Sequence, residues 1–233
     1  MHLPSGMFEL AYIRAAVEAQ RQGFVGLPGF EDVTQVYSSS GLPALFENRR
    51  VSRGRRVQLE GELQTSAQPA NDALDAAPVT IFVPRQAGAP PERLQAFAPP
   101  LPGVAGKFWG VFAISGVGRV PGSAELVERL AANEGLTLVP EPDNAYNPHA
   151  LLVARANGSA IGYAPDYLAN ELSLTPDAAN RLGVYLLAVH RINSAGPQPL
   201  YQVTCRYECD AELGRALFRS EPYEPLSPRA FHD

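Results

Sequence analysis

A chain of 233 residues that is 45% hydrophobic and 18% charged has room for one large or two small globular domains with a sizeable core. Its net charge of −5 argues against a sequence-blind grip on duplex nucleic acid, which draws on a basic surface, but not against a small pocket for one strand or one strand end. No apolar run approaches the ~18–20 residues of a membrane span, and MHLPSGMFELAYIR lacks the basic-then-apolar order of a secretory leader, so the expectation is a cytoplasmic protein with no membrane partner.

In chain order, residues 8–22, FELAYIRAAVEAQRQ, place Phe8, Tyr12, Ala15, Ala16 and Ala19 on one helical face, with Gly23 as the stop. Val57, Leu59, Gly61 and Leu63 alternate with polar neighbours and predict a strand, as does PVTIFVPR at 78–85. Five prolines between 86 and 105 mark a linker, because proline removes backbone donors and favours extended geometry. Beyond it, GKFWGVFAIS (106–115) predicts a strand and GSAELVERLAANEG (122–135) a helix capped by Ser123 and ended by Gly135. LTLVPE (136–141) is a strand, and ALLVARANGSAIGYA (150–164) is two strands about an Asn157-Gly158 turn. DYLANELS is a short helix, and GVYLLAVHRI with PLYQVTCRYEC forms a last hairpin. The predicted fold is mainly β with short helices (α+β): a small OB-like or SH3-like barrel, closed or half-closed, after an N-terminal α+β extension. The expected divisions are 1–85, a linker at 86–105, the barrel at 106–212 and a loosely ordered tail at 213–233.

Cys205 and Cys209 lie four residues apart in an alternating segment. As strand residues they stand about 13 Å apart, too far for a disulfide, and a zinc site would need two further clustered ligands. Two reduced, buried thiols and no metal or cofactor are expected. GVGRVPG (116–122) sits between a strand and a helix, with Glu141 25 residues after Gly116, which is the context of a dinucleotide-binding turn. The spacing is GxGxxxG, however, and the segments after Glu141 read as hairpins without the crossover helices of a parallel sheet, so a plain strand-to-helix turn is preferred. Neither a P-loop, an HExxH, paired carboxylates nor a nucleophile–base arrangement is recognisable, and the expectation is a non-enzyme with no catalytic residues.

The most specific segment is EPDNAYNPHA (141–150), followed by LLVARANGSAIGYAPDYLANEL. Glu141, Pro142, Asn144, Tyr146, Pro148, Ala150 and Val153, then Ile161, Gly162, Tyr163, Pro165 and Leu168, resemble the pattern of the HIRAN domain family, firmly over 136–172 and more loosely over 107–210. The resemblance implies a β-barrel module, found alone in bacteria and fused to helicases or nucleases elsewhere. It implies binding of single-stranded DNA at a free 3′-hydroxyl end, in replication-fork processing or DNA repair. Partners would be single-stranded DNA or DNA ends and a repair or helicase protein. Nothing in residues 1–105 resembles a known family.

Position by position, the resemblance makes Tyr146 a base-stacking platform, or else an aromatic cover for the barrel end. Asn147 stands where the family commonly has aspartate; with Asn144 it either contacts the ligand or forms Asx-turns. Tyr163 either stacks or bonds a phosphate, or it belongs to the core; His149 supports the loop, and His190 reads as a satisfied barrel histidine. Arg119 is the sole basic residue where DNA-binding members carry a basic–aromatic pair, and Asp166 stands near a position where lysine would help hold phosphate. Arg49, Arg50, Arg53, Arg55 and Arg56 form one dense basic run, either an accessory phosphate grip or a solvated turn. The rival reading is a protein-interaction module using the same barrel surface without DNA.

Overall fold

The computed structural model describes residues 7–41, 79–83, 92–96, 99–192 and 200–226. The run Arg49–Arg56 and the strand expected at 57–63 lie outside them, as does the side chain of His190. The chain forms two compact units, one of Met1–Arg50 with Phe218–Asp233, the other of Val51–Leu217.

In the first unit the expected helix over 8–22 is divided. Phe8–Leu10 is a strand, β1, paired antiparallel with β2 (Tyr37–Ser39), and only Ala15–Arg21 is helical, α1. The alternating Phe8-Glu9-Leu10 satisfies its backbone on β2 instead of in a helical turn, and the N–H of Arg14 is taken by the carbonyl of Glu224 at 2.8 Å. Tyr12, Ala16 and Val33 make a small core, joined by Phe24, Leu27, Phe30 and Leu226. The Tyr12 hydroxyl fixes two turns at once, donating to the Phe30 carbonyl at 2.6 Å and accepting from the Leu27 N–H at 2.7 Å. Residues 221–226, read as part of a loose tail, are held here: Pro225 bridges Ile13, and the Leu226 N–H reaches the Tyr12 carbonyl.

Among the described residues, the second unit begins with the hairpin β3 (Val79–Val83) and β4 (Glu92–Ala96). β4 lies inside the stretch read as a linker, in the proline-free interval between Pro91 and Pro99. Seven further strands make one sheet: β5 (Leu101–Pro102), β6 (Phe108–Ala113), β7 (Gly135–Pro140), β8 (Leu151–Arg155), β9 (Ala160–Tyr163), β10 (Gly183–Ile192) and β11 (Leu200–Cys209). Their order is β5-β6-β11-β10-β7-β8-β9, with every pairing antiparallel, which leaves no place for a dinucleotide-type parallel crossover. The sheet wraps a core of Phe112, Val153, Ile161, Leu168, Val203, Cys205 and Tyr207. Both cysteines are free and buried.

The expected barrel is not closed by a ladder. The chain just past β6 meets β9, the last strand of the sheet, in one isolated bridge, where Ser115 and Tyr163 exchange two backbone hydrogen bonds of 2.8 Å. Gly162 lets them approach: a Cβ there would stand 2.6 Å from both the Ser115 carbonyl oxygen and a methyl of Ile114. The structure is therefore a curled, mainly β sheet with a one-bridge seam.

Helix α2 covers Ser123–Val127, not 122–135. Asn133 and Glu134 leave the helical path because they join β10, the Asn133 N–H bonding the Leu186 carbonyl and the Leu186 N–H bonding that of Glu134. Gly135 consequently begins β7. Ser123 does not cap its helix; its fully buried hydroxyl accepts the Gly118 N–H at 2.9 Å and pins the glycine loop to α2. Helices α3 (Asp166–Ser173) and α4 (Ala211–Ala216) complete the unit.

Candidate nucleic-acid interface

The segment 141–150 joins β7 to β8, which pair from Leu136↔Arg155 to Pro140↔Leu151. Its base is closed by the Glu141 N–H on the Ala150 carbonyl at 2.9 Å. Within it, the Asn144 side-chain oxygen accepts the N–H groups of Tyr146 (3.0 Å) and Asn147 (3.2 Å), and the Asn147 oxygen accepts that of His149 (2.9 Å). Both asparagines thus form Asx-type turns, because a short side-chain carbonyl can replace a backbone acceptor. Their amide nitrogens are also used: Asn144 donates to Glu141 at 2.6 Å, and Asn147 to Asp166 at 2.9 Å.

These bonds reassign the predicted residues. Asn147 is buried and holds the loop against the start of α3, so it is an internal strut. Tyr146 is 96% exposed, which removes the reading of a ring covering the barrel end. His149 is exposed and bonds through its backbone N–H. Tyr163 ends β9 half-buried; burial, then the neighbouring Glu141 carboxylate, raises its pKa above the ordinary tyrosine value.

Arg119 lies in the glycine loop next to this group. Gly116 and Gly118 have φ of 69° and 89°, and the Arg119 N–H closes a turn on the Gly116 carbonyl at 2.9 Å. A Cβ at Gly116 would be 3.4 Å from the Tyr163 ring and 3.9 Å from the Arg119 chain, so the tyrosine and arginine flank the same glycine. Arg119 is exposed and makes no ion pair among the described residues. Glu141 stands between the two halves of the site: its carboxylate takes the Asn144 amide and lies near enough to Tyr163 to raise the phenol's pKa. Its place in the motif is visible in the sequence, and its i,i+3 spacing to Asn144 hints at that bond. Its nearness to Tyr163, 22 residues on, has no local signal.

The structure thus brings Tyr163, Arg119, Asn144 and Asn147 to one region of the sheet and projects Tyr146 from it. Among the described residues no group of three or more His, Cys, Asp or Glu is placed to hold a metal ion. No helix there is long and apolar enough to cross a membrane.

A curled antiparallel sheet presenting an aromatic side chain on a stiffened polar loop has the form of a small β binding module. Residues 109–181 match the family model of the HIRAN domain, and the chain carries a HIRAN domain over that segment. The HIRAN domain is a family of nucleic-acid-binding modules. The match ends before β10, although β10 and β11 belong to the same sheet. No curated protein matches the chain. Among solved structures, it is similar to the HIRAN domain of human HLTF, with 18% identity, 46% of this chain and 81% of that one covered, and a TM-score of 0.32. It is also similar to a protein from Lactobacillus plantarum, with 20% identity, coverages of 42% and 91%, and a TM-score of 0.28.

Proposed function

We propose that the second unit binds single-stranded DNA at a 3′-hydroxyl end, with Tyr146 as the stacking platform. The observation that carries this reading is the near-complete exposure of Tyr146 on a loop made rigid by side-chain hydrogen bonds. Presenting a large ring to water contributes nothing to the fold, whereas a base stacked on it gains about 1–3 kcal/mol. Tyr163 and Arg119 lie together at the seam and supply a ring and one cation for the terminal nucleotide and its phosphate. Such recognition suits replication-fork processing or DNA repair in the cytoplasm, alongside a repair or helicase protein. The reading assigns binding and no chemical step to these residues, and it calls for no cofactor.

The test is fluorescence anisotropy with short oligonucleotides at moderate salt. A strand ending in a 3′-hydroxyl is expected to bind more tightly than one ending in a 3′-phosphate, which would meet the carboxylates of Glu141 and Asp166 beside the single Arg119. Tyr146→Ala should weaken binding by about 1–3 kcal/mol, or roughly 5- to 150-fold, without moving Tm. Equal binding to both ends, or none, would overturn the reading. One observation favours a protein partner instead: Glu141, Asp143 and Asp166 outnumber Arg119 around the loop, which suits a basic peptide segment. In that case oligonucleotide affinity would be absent or insensitive to salt.

A further inference from the structure

We propose that the surface from Arg119 along the exposed side of α2 to the outer end of the β10–β11 hairpin is a phosphate track for the body of a single strand whose terminus lies at Tyr146. The proposal rests on the end-binding reading above.

Four described cations of the second unit are consumed by acids: Lys107 and Arg206 by Glu208, Arg155 by Glu134, and Arg181 by Asp210 and Glu212. Arg119, Arg129, Arg191 and Arg215 make no such pair among the described residues, and the first three belong to one connected path. The glycine loop that carries Arg119 is pinned to the first residue of α2 by the Gly118–Ser123 bond. Arg129 follows the helix, on the order of 9 Å from Ser123 at 1.5 Å per residue. Glu128, the residue before it, accepts the hydroxyl of Tyr201, and Tyr201 is the cross-strand partner of Arg191. Glu128 is thereby held against the hairpin but stays exposed, so this surface carries two acids, Glu125 and Glu128, beside its three arginines.

The hairpin is built to reach outward. β11 is paired with β6 only over Thr204–Cys209, and β10 with β7 only over Val184–Tyr185. Ala188–Ile192 and Leu200–Gln202 therefore extend past the neighbouring strands, paired with each other, and carry the exposed Arg191. A path of three spaced arginines with no direct ion pair among the described residues matches a backbone that presents one charge per nucleotide, and footprints of single-strand sites on OB-type sheets run to about 4–16 nucleotides.

The experiment compares dT4 and dT12, both with 3′-hydroxyl ends, on the full chain by anisotropy across a salt series. For the unaltered chain, dT12 is expected to bind about tenfold more tightly, with a salt slope steeper by about 1.4, at roughly 0.7 per added phosphate. The pair Arg129→Ala with Arg191→Ala should bring dT12 down to the affinity of dT4 and leave dT4 unchanged, which also shows the variant is folded. Arg129→Lys with Arg191→Lys should keep most of the gain. If dT4 binds but length adds nothing, or the alanine pair keeps the gain, the track is overturned and the end site stands. If dT4 does not bind at all, both fall.

Discussion

Asn147 shows how a residue type drawn from a motif takes its role from its neighbours. By position it reads as a ligand contact, yet its oxygen is filled by the His149 N–H and its nitrogen donates to Asp166. Leaving such groups without partners costs about 1–3 kcal/mol, so Asn147→Ala is expected to lower stability by about that amount in urea titration. It should weaken ligand binding only through loss of loop order. Asn147→Asp keeps the shape but sets a carboxylate against Asp166. Each then raises the pKa of the other, so the variant should lose stability relative to the unaltered chain as pH rises from 4 to 7. The loss should be under about 1 kcal/mol, because Asp166 is exposed and solvent screens the pair. Adding Asp166→Asn restores a donor opposite an acceptor and should recover the lost melting temperature; failure to recover would show that the strut is not what Asn147 supplies.

At the scale of elements, the seam between β9 and the chain just past β6 depends on one glycine. Gly162→Ala would drive a methyl into the Ser115 carbonyl, a backbone atom that cannot rotate away. The expected cost is about 1–3 kcal/mol, read as a lower urea midpoint with an unchanged m-value, together with weakened oligonucleotide binding because Tyr163 shifts from Arg119. Elements fixed by local pattern were legible in the sequence: β7, the β8–β9 hairpin about Gly158 at φ 84°, α3 over the residues expected, and the β10–β11 pair. Those fixed by remote partners were not. β1 needs β2 some 30 residues away, α2 is cut short by Leu186, and the seam joins residues 48 apart. The site divides in the same way. Both Asx turns follow from short-range chemistry, while the carboxylates of Glu141 and Asp166 acquire their roles only when β9 and α3 are laid beside the loop.

Among the described residues, the most strongly perturbed acids of the molecule lie on one strand. Cys205, Tyr207 and Cys209 alternate along the inner face of β11, and burial pushes all three up: Cys209 to about 11, the other two further. Such thiols are poor nucleophiles, since the reactive form is the thiolate. The consequence is for stability. A thiol or phenol with a raised folded-state pKa stays protonated in the native chain after its unfolded counterpart has begun to ionise. Its stabilising effect is therefore complete below the unfolded pKa and lost as pH climbs towards the folded one. For Cys209 that window runs from the ordinary thiol value of 9.0 to about 11, and for Tyr207 it opens at the ordinary phenol value of 10.0. Each group subtracts about 1.4 kcal/mol per pH unit within its window, so the loss steepens once the phenol joins the thiols. Melting temperature is expected to be nearly level from pH 7 to 8.5 and to fall with increasing slope above pH 9. Cys209→Ala should soften the onset, and Cys205→Ala with Cys209→Ala should move it to the tyrosine range. A melting temperature that is flat to pH 11 in the unaltered chain would mean that β11 is accessible to water, and that the curled sheet does not enclose the core described.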